Sequence, residues 1–296
     1  MATILQAQGE RREGESPGRA LARLATQPRF LYPDSAAGRQ AALDDYGRML
    51  REQLAATRAV IGLSPRAAIE VRRVPEFREK TAPGAYYLPP ALDGTRPGVF
   101  FANLRDMAEV PRFGMRTLAA HEGVPGHHFQ IALAQEQTGL PTFRSVLPFT
   151  AYQEGWALYA ERLAAEMGLY RDDPFGNLGR LDDEMLRAAR LVVDTGIHAR
   201  RWPREQAIAY LLAHTGMAEA SAVSEVERYI VEPGQACAYL VGMRAIMAAR
   251  ERARTALGAR FDAQALKDFH DLVLRGGALP LEVLDEQVDA WIAARR

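Results

Sequence analysis

Three of the chain's six histidines fall in one short stretch, His121-Glu122-Gly123-Val124-Pro125-Gly126-His127-His128. A His-Glu pair opens it and a His-His pair closes it. Imidazoles offer neutral nitrogen ligands and a glutamate can take a proton from water, so these are the parts of a zinc hydrolase. The spacing differs from the common zincin pattern, in which two histidines sit one helical turn apart with a glutamate after the first. Here the fourth residue after His121 is Pro125. In an unbroken helix, with a rise of ~1.5 Å and a turn of ~100° per residue, His128 would share the face of His121 but lie roughly 10 Å further on. Two imidazoles that far apart cannot both reach an ion at ~2 Å, and His127 would point away. A metal site therefore requires a break in the helix. Pro125 removes a backbone donor and Gly126 admits unusual backbone angles, so a break there can swing His127 back beside His121. His128 rivals it as second imidazole; His127 needs the smaller displacement along the axis.

A third ligand is sought on the next strongly apolar helix, which carries Gln153-Glu154-Gly155-Trp156-Ala157-Leu158-Tyr159-Ala160-Glu161. Glu154 is the better candidate, because Gly155 beside it lets that helix approach another backbone closely. Glu161 shares its face seven residues later and suits a supporting partner that orients a ligand; His128, if not a ligand, is read in the same supporting role. Plainer roles compete. A lone helical glutamate is usually solvated, Trp156 and Tyr159 read as core, His198 near Asp194 reads as structural, and Arg244 to Arg260 read as one solvated helix face.

The elements that must position these residues follow from periodicity. Residues 1–33, rich in Gly, Arg and Pro, read as a loosely ordered lead-in with one short helix near Leu21 to Ala25. Residues 34–296 read as a single helical domain. Asp34-Ser35 resembles a helix N-cap, and Ala41, Leu43, Tyr46, Leu50, Leu54 and Val60 recur at helical spacing as far as about Ile61. Three short runs then alternate or cluster as strands do: Ala68 to Val74, Ala85 to Leu88, and Val99 to Leu104. They are expected to form one small antiparallel sheet ahead of the metal-site helix. From Pro111 onward helices are expected near 112–124, 148–168, 177–200, 203–214, 219–230, 235–257, 262–274 and 281–294. Gly and Pro mark the gaps, as at Gly139-Leu140-Pro141 and Pro233-Gly234. The fold class is mainly α, a helical zincin-like body.

Composition limits the function classes. The 37 basic and 37 acidic residues balance, so nothing global argues for nucleic acid or a membrane surface as partner. Cys237 is the one cysteine, which excludes an intrachain disulfide. No apolar run is long enough for a signal peptide or a membrane span, and a cytoplasmic setting is expected.

Four stretches, in order, together resemble the DUF885 family, bacterial helical proteins with the look of gluzincin zinc peptidases. They are His121 to Gln130; Glu154 to Glu161; Leu191-Val192-Val193-Asp194-Thr195-Gly196-Ile197-His198 with Trp202; and Glu227-Arg228-Tyr229 with Pro233-Gly234-Gln235-Ala236, Tyr239 and Gly242. Tyr86-Tyr87-Leu88-Pro89-Pro90 fits the preceding segment, and the resemblance runs from about residue 40 to residue 275. It implies Zn2+ held by His121, His127 and Glu154, with Glu122 as general base toward a zinc-activated water that attacks a peptide or small amide bond. His198 and Tyr239, each in a matched motif, become candidate catalytic donors to the oxyanion. Arg228 and Arg244 become candidates for holding a substrate carboxylate, and the strand near Phe100 to Leu104 a candidate to pair with an extended peptide. Members of the family are typically much longer, so this chain resembles the C-terminal, metal-bearing half, and a homodimer is one way to rebuild a missing cleft wall. The competing readings are a helical scaffold domain that no longer catalyses and a zinc hydrolase of a small non-peptide amide.

Overall fold

The computed structural model describes residues 1–138, 141, 143–144 and 147–296; Gly139 and Leu140 of the expected Gly139-Leu140-Pro141 gap lie outside the described residues. The chain is mainly helical, with one three-stranded sheet ahead of the His-rich stretch. Helices α1 (Ala2–Ala7) and α2 (Pro17–Ala25) bury Leu5, Ala20, Leu21 and Leu24 beside Phe30, Phe113 and Leu178. This differs from the loose lead-in expected of residues 1–33. Local chemistry supplies the order: Ser16 accepts from Arg19 N at 3.3 Å, Pro17 takes the first helical position, and Arg23 pairs with Glu10 and Glu15 at 3.1 and 2.9 Å.

Ser35 caps α3 (Ala36–Thr57) by accepting from Gly38 N at 3.1 Å. Ala42, Tyr46, Met49, Leu50 and Gln53 are buried along one face of α3; Tyr46 and Leu50 belong to the expected stripe, Leu43 and Leu54 are half-buried beside it, and Ala41 is exposed. Strands β1 (Ile69–Arg73), β2 (Ala85–Leu88) and β3 (Gly98–Ala102) follow in the order β1-β3-β2. β2 runs antiparallel to β3, with Tyr87 opposite Phe100. β1 runs parallel to β3, with Val71 also opposite Phe100. The sheet is therefore mixed rather than antiparallel. Residues 74–97 double back through β2, so β3 arrives beside β1 in the same direction. The nearly unbroken apolar run Val99-Phe100-Phe101-Ala102 suits a central strand, paired on both edges.

Nine helices complete the described residues: α4 (Arg112–Glu122), α5 (His127–Gln135), α6 (Thr150–Glu166), α7 (Pro174–Arg200), α8 (Arg204–His214), α9 (Glu219–Val231), α10 (Gln235–Leu257), α11 (Ala263–Arg275) and α12 (Leu281–Ala293). All except α5 lie within a few residues of the expected ranges. α6 is the central helix. Tyr152, Gly155, Trp156, Ala157, Leu158, Tyr159, Ala160, Leu163 and Ala164 are all buried, so it packs around most of its circumference, while Gln153 and Glu154 face the cleft and Arg162 and Glu166 reach solvent. α6 and α10 cross in backbone contact. A Cβ on Gly155 would lie 2.4 Å from Gly242 Cα, and one on Gly242 would lie 1.7 Å from Ala151 O. No helix among the described residues is long and apolar enough to cross a membrane.

Candidate metal centre

The break in the His-rich stretch is where Pro125-Gly126 lies. α4 ends at Glu122, and α5 begins at His127 on a new axis. Gly126 N donates to Ala120 O at 2.9 Å, folding the turn back onto the end of α4. A Cβ on Gly126 would sit 2.0 Å from His121 O and 2.3 Å from Ala120 O, so only glycine fits this approach. Trp156 Nε1 of α6 donates to Pro125 O at 2.8 Å and ties the turn to the central helix.

This arrangement brings His121, His127 and Glu154 together. Their donor atoms all lie within 4.8 Å of one another. Glu154 Oε2 is 3.5 Å from His121 Nε2 and 3.3 Å from His127 Nε2. Tetrahedral ligands at ~2.0–2.1 Å from zinc stand roughly 3.3–3.4 Å apart, so the carboxylate–imidazole distances suit an ion between them. The two rings are perpendicular, with centroids 4.9 Å apart. Glu154 Oε2 is buried without a hydrogen-bond partner, and a buried carboxylate oxygen left so is costly unless something fills its lone pairs. Two imidazoles and one carboxylate are the donor types found in zinc sites that leave a position for water. The residues present fit the ion.

Electrostatics point the same way. Burial opposes a charge on His121, but the Glu154 and Glu161 carboxylates beside it outweigh it and push its pKa up to about 10. Burial likewise opposes the Glu154 carboxylate, yet His121 and His127 hold it well below the usual carboxylate range. The nest favours positive charge, and a divalent cation can take the place of the proton.

Supporting groups hold the donors from behind. Glu161 Oε1 lies 2.7 Å from His121 Nδ1, which leaves Nε2 facing Glu154. Arg187 approaches Glu161 to 3.7 Å. Gln130 Nε2 lies 3.0 Å from His127 Nδ1 and donates to Gln153 O at 2.8 Å. Gln235 Nε2 is 3.5 Å from Glu154 Oε1 and 3.3 Å from the Tyr239 hydroxyl. The Tyr239 ring stacks on His121 (6.1 Å, 24°), with the Arg190 guanidinium 4.9 Å from the phenol ring centroid. Gln130, Gln235, Arg187 and Arg190 have no assigned role in the sequence reading. Gln130, one turn after His127, and Gln235, one turn before Tyr239, lie at spacings that share a helix face; nothing local marks the arginines.

A cleft of about 260 Å³ opens onto these groups, lined in part by Glu122, Gln153, Arg228, Tyr239 and the β2 residues Ala85, Tyr86 and Tyr87. Glu122 reaches it while remaining only 8% exposed. Four expectations differ from this geometry. His128 turns away from the donors toward the sheet. Its Nδ1 lies 2.8 Å from the Tyr87 hydroxyl, and burial pushes its pKa down to about 4. His198 is outside the cleft lining, and its Nε2 donates to Tyr229 O at 2.8 Å, so that N–H is committed to the backbone. Arg244 is exposed on α10 and also outside the lining, because it faces solvent from the side of α10 opposite Met243 and Gly242. The central strand β3 has no free edge for a peptide; β2 is the edge strand at the cleft.

Residues 1–288 match the family described as "Bacterial protein of unknown function (DUF885)". No curated protein matches the sequence. A crystal structure of a "putative lipoprotein" from Colwellia psychrerythraea is 47% identical, with a TM-score of 0.96, and the match covers 99% of this chain and 49% of that one. The structure of a "putative lipoprotein of unknown function" from Shewanella oneidensis shares the fold at 22% identity and a TM-score of 0.71, with 96% and 54% covered. The chain thus spans about half the length of both. The lipoprotein description of the 47% identical protein corrects the expectation of a cytoplasmic setting, which rested on the first residues of this chain alone. This chain belongs to the DUF885 family.

Proposed function

We propose that this DUF885 protein is a zinc-dependent hydrolase of peptide or small amide bonds, with His121, His127 and Glu154 as the residues that hold the ion. The observation that carries the reading is the convergence of three donors around a buried carboxylate oxygen that has no partner of its own. Zinc bound there would supply a Lewis acid and a water acidified toward neutral pH.

The chain's own residues do the rest. Glu122 follows the ligand His121 directly and lines the cleft, where its carboxylate accepts the proton of the attacking water and returns it to the leaving amine. Glu161 accepts from His121 Nδ1, which fixes that ring's tautomer and keeps Nε2 free as a donor atom. Tyr239, held by Gln235 and stacked on His121, presents its hydroxyl as the donor to the oxygen that gains charge. With His198 committed elsewhere, Tyr239 is the remaining donor of the expected pair. β2 offers its edge to an extended substrate backbone. The lipoprotein description of the Colwellia protein supports a lipid-anchored or exported setting for the reaction.

The test is digestion of a peptide library, read by mass spectrometry, with and without a chelator. Chelator-sensitive cleavage restored by added zinc is expected. Glu122→Gln is expected to keep its zinc and lose turnover by at least about a hundredfold, as befits a general base. Cleavage that ignores the chelator, or no cleavage at all, would sink the reading and favour a scaffold protein.

A further inference from the structure

We propose that Arg228 makes this cleft select ligands that present a carboxylate, the free C-terminus of a short peptide above all. The inference rests on the amide-hydrolase reading and names its substrate class. Among the described residues lining the cleft, Arg228 is the one lysine or arginine; the other ionisable groups are His121, Glu122, His127, Glu154 and tyrosines. An extended peptide must therefore satisfy two carboxylates and a candidate cation at the floor, and a single fixed cation on the wall.

Arg228 is held but not consumed. Its Nε donates to Glu232 Oε2 at 3.2 Å, and the two side chains are 37% and 53% exposed. Exposed pairs one helical turn apart are weak and screened by solvent, so a ligand carboxylate can displace Glu232 readily. The terminal nitrogens, the part of the fork that matches a carboxylate in bidentate fashion, make no hydrogen bond among the described contacts. Tyr239 lines the same cleft as Arg228, so the guanidinium shares that cleft with the proposed oxyanion donor. The neighbouring cation Arg190 is unavailable, being buried and bound to Glu225 at 2.6 Å. The cleft is also small: about 260 Å³, against the roughly 300–1,000 Å³ usual for ligand sites. A short ligand ending at Arg228 fits better than a long chain passing it.

Calorimetric titration of chelator-treated protein tests this without turnover and without an ion that would itself bind carboxylates. The probes are trialanine with a free C-terminus and trialanine amide, followed by two amidated tripeptides that differ only in Glu or Gln at the middle position. The free acid should bind at least about tenfold more tightly than the amide, the scale of one charge-assisted hydrogen bond. Arg228→Ala should erase that preference and Arg228→Lys should restore part of it. A preference for Glu over Gln alone would keep the carboxylate and assign it to a side chain. Equal binding of acid and amide in both probe pairs, no binding by any probe, or a preference that survives Arg228→Ala would overturn the proposal. An Arg228-dependent preference in a protein that cleaves nothing would remove the hydrolase reading and leave the carboxylate site standing.

Discussion

Glu161 never meets the cleft, yet it decides which nitrogen His121 presents. It is 1% exposed, with Oε1 2.7 Å from Nδ1, and burial pushes its own pKa up while Arg187 draws it down. Removing its charge but keeping an acceptor tests the role. Glu161→Gln should weaken zinc affinity by about ten- to a hundredfold, measured by competition with a chromophoric chelator. Unchanged affinity would reduce Glu161 to a packing residue. The paired variants His127→Ala and His128→Ala, with zinc counted in each, separate the adjacent imidazoles: the first should lose the ion and the second should keep it. The residue types and the need for a break at Pro125-Gly126 were legible in the sequence, and Glu154 and Glu161 were legible from their shared helix face. His127 was favoured over His128 by its smaller axial displacement, and it is the ring delivered; the turn's dihedral angles and the anchor from Trp156 to Pro125 O that fix this leave no mark in the sequence. His198 and Arg244 lie outside the cleft, as their plainer readings of a structural histidine and a solvated helix face have it, because neither motif membership nor charge says which way a side chain faces.

The crossing of α6 and α10 carries the donor Glu154 and the cleft residue Tyr239 toward each other. Gly155 and Gly242 permit it, with backbone atoms where either Cβ would go. A methyl group on Gly242 must push the helices apart, since the obstacle is the Ala151 carbonyl and not a flexible side chain. Gly242→Ala should therefore cost about 1–3 kcal/mol or more of stability, as overpacked cores do, and should lower zinc affinity by shifting Glu154. Chemical denaturation and chelator competition read the two effects; wild-type values in both would show that the crossing is loose. Periodicity located nearly every helix because each buries one stripe, and Gly155 hinted at a close approach. The partner glycine on α10 was out of reach, since pairing between distant helices leaves no local signature. Helix α5 was missed because the same Pro-Gly pair that marks a break conceals a restart. The parallel pairing of β1 with β3 was missed because strand direction is set by the path of residues 74–97 and not by side-chain alternation.

Across the whole molecule, groups buried outside the cleft lining set how stability changes with pH. His270 ties three parts of the chain together. Its Nδ1 donates to Val60 O at 2.7 Å, its Nε2 accepts from the Tyr159 hydroxyl at 2.8 Å, and Arg250 donates to that same hydroxyl at 2.9 Å. Burial, aided by the Arg250 charge, pushes its pKa from 6.5 down to about 4, and His128 is pushed down equally far. Their folded pKa values lie below the unfolded ones. The stability they carry is therefore present above pH 6.5 and lost as pH falls toward 4, by about 3 kcal/mol for a fully buried group such as His270. Asp182 acts in the opposite sense. Burial and the neighbouring Asp183 push its pKa from 3.8 up to about 7, so its contribution is complete below pH 3.8 and is lost as pH rises through 7. His121, raised to about 10, titrates on the alkaline side and adds no slope between pH 4 and 6.5. Two histidines outweigh one aspartate, and the metal-free protein should lose net stability from pH 6.5 to pH 4. Urea midpoints across that window, taken with a chelator present, check the balance. Asp182→Asn should steepen the fall by removing the opposing group, while His270→Gln should flatten it whatever its cost at pH 7. A slope that neither variant changes would mean that these buried groups do not govern the acid response, and that the carboxylates paired with arginines do.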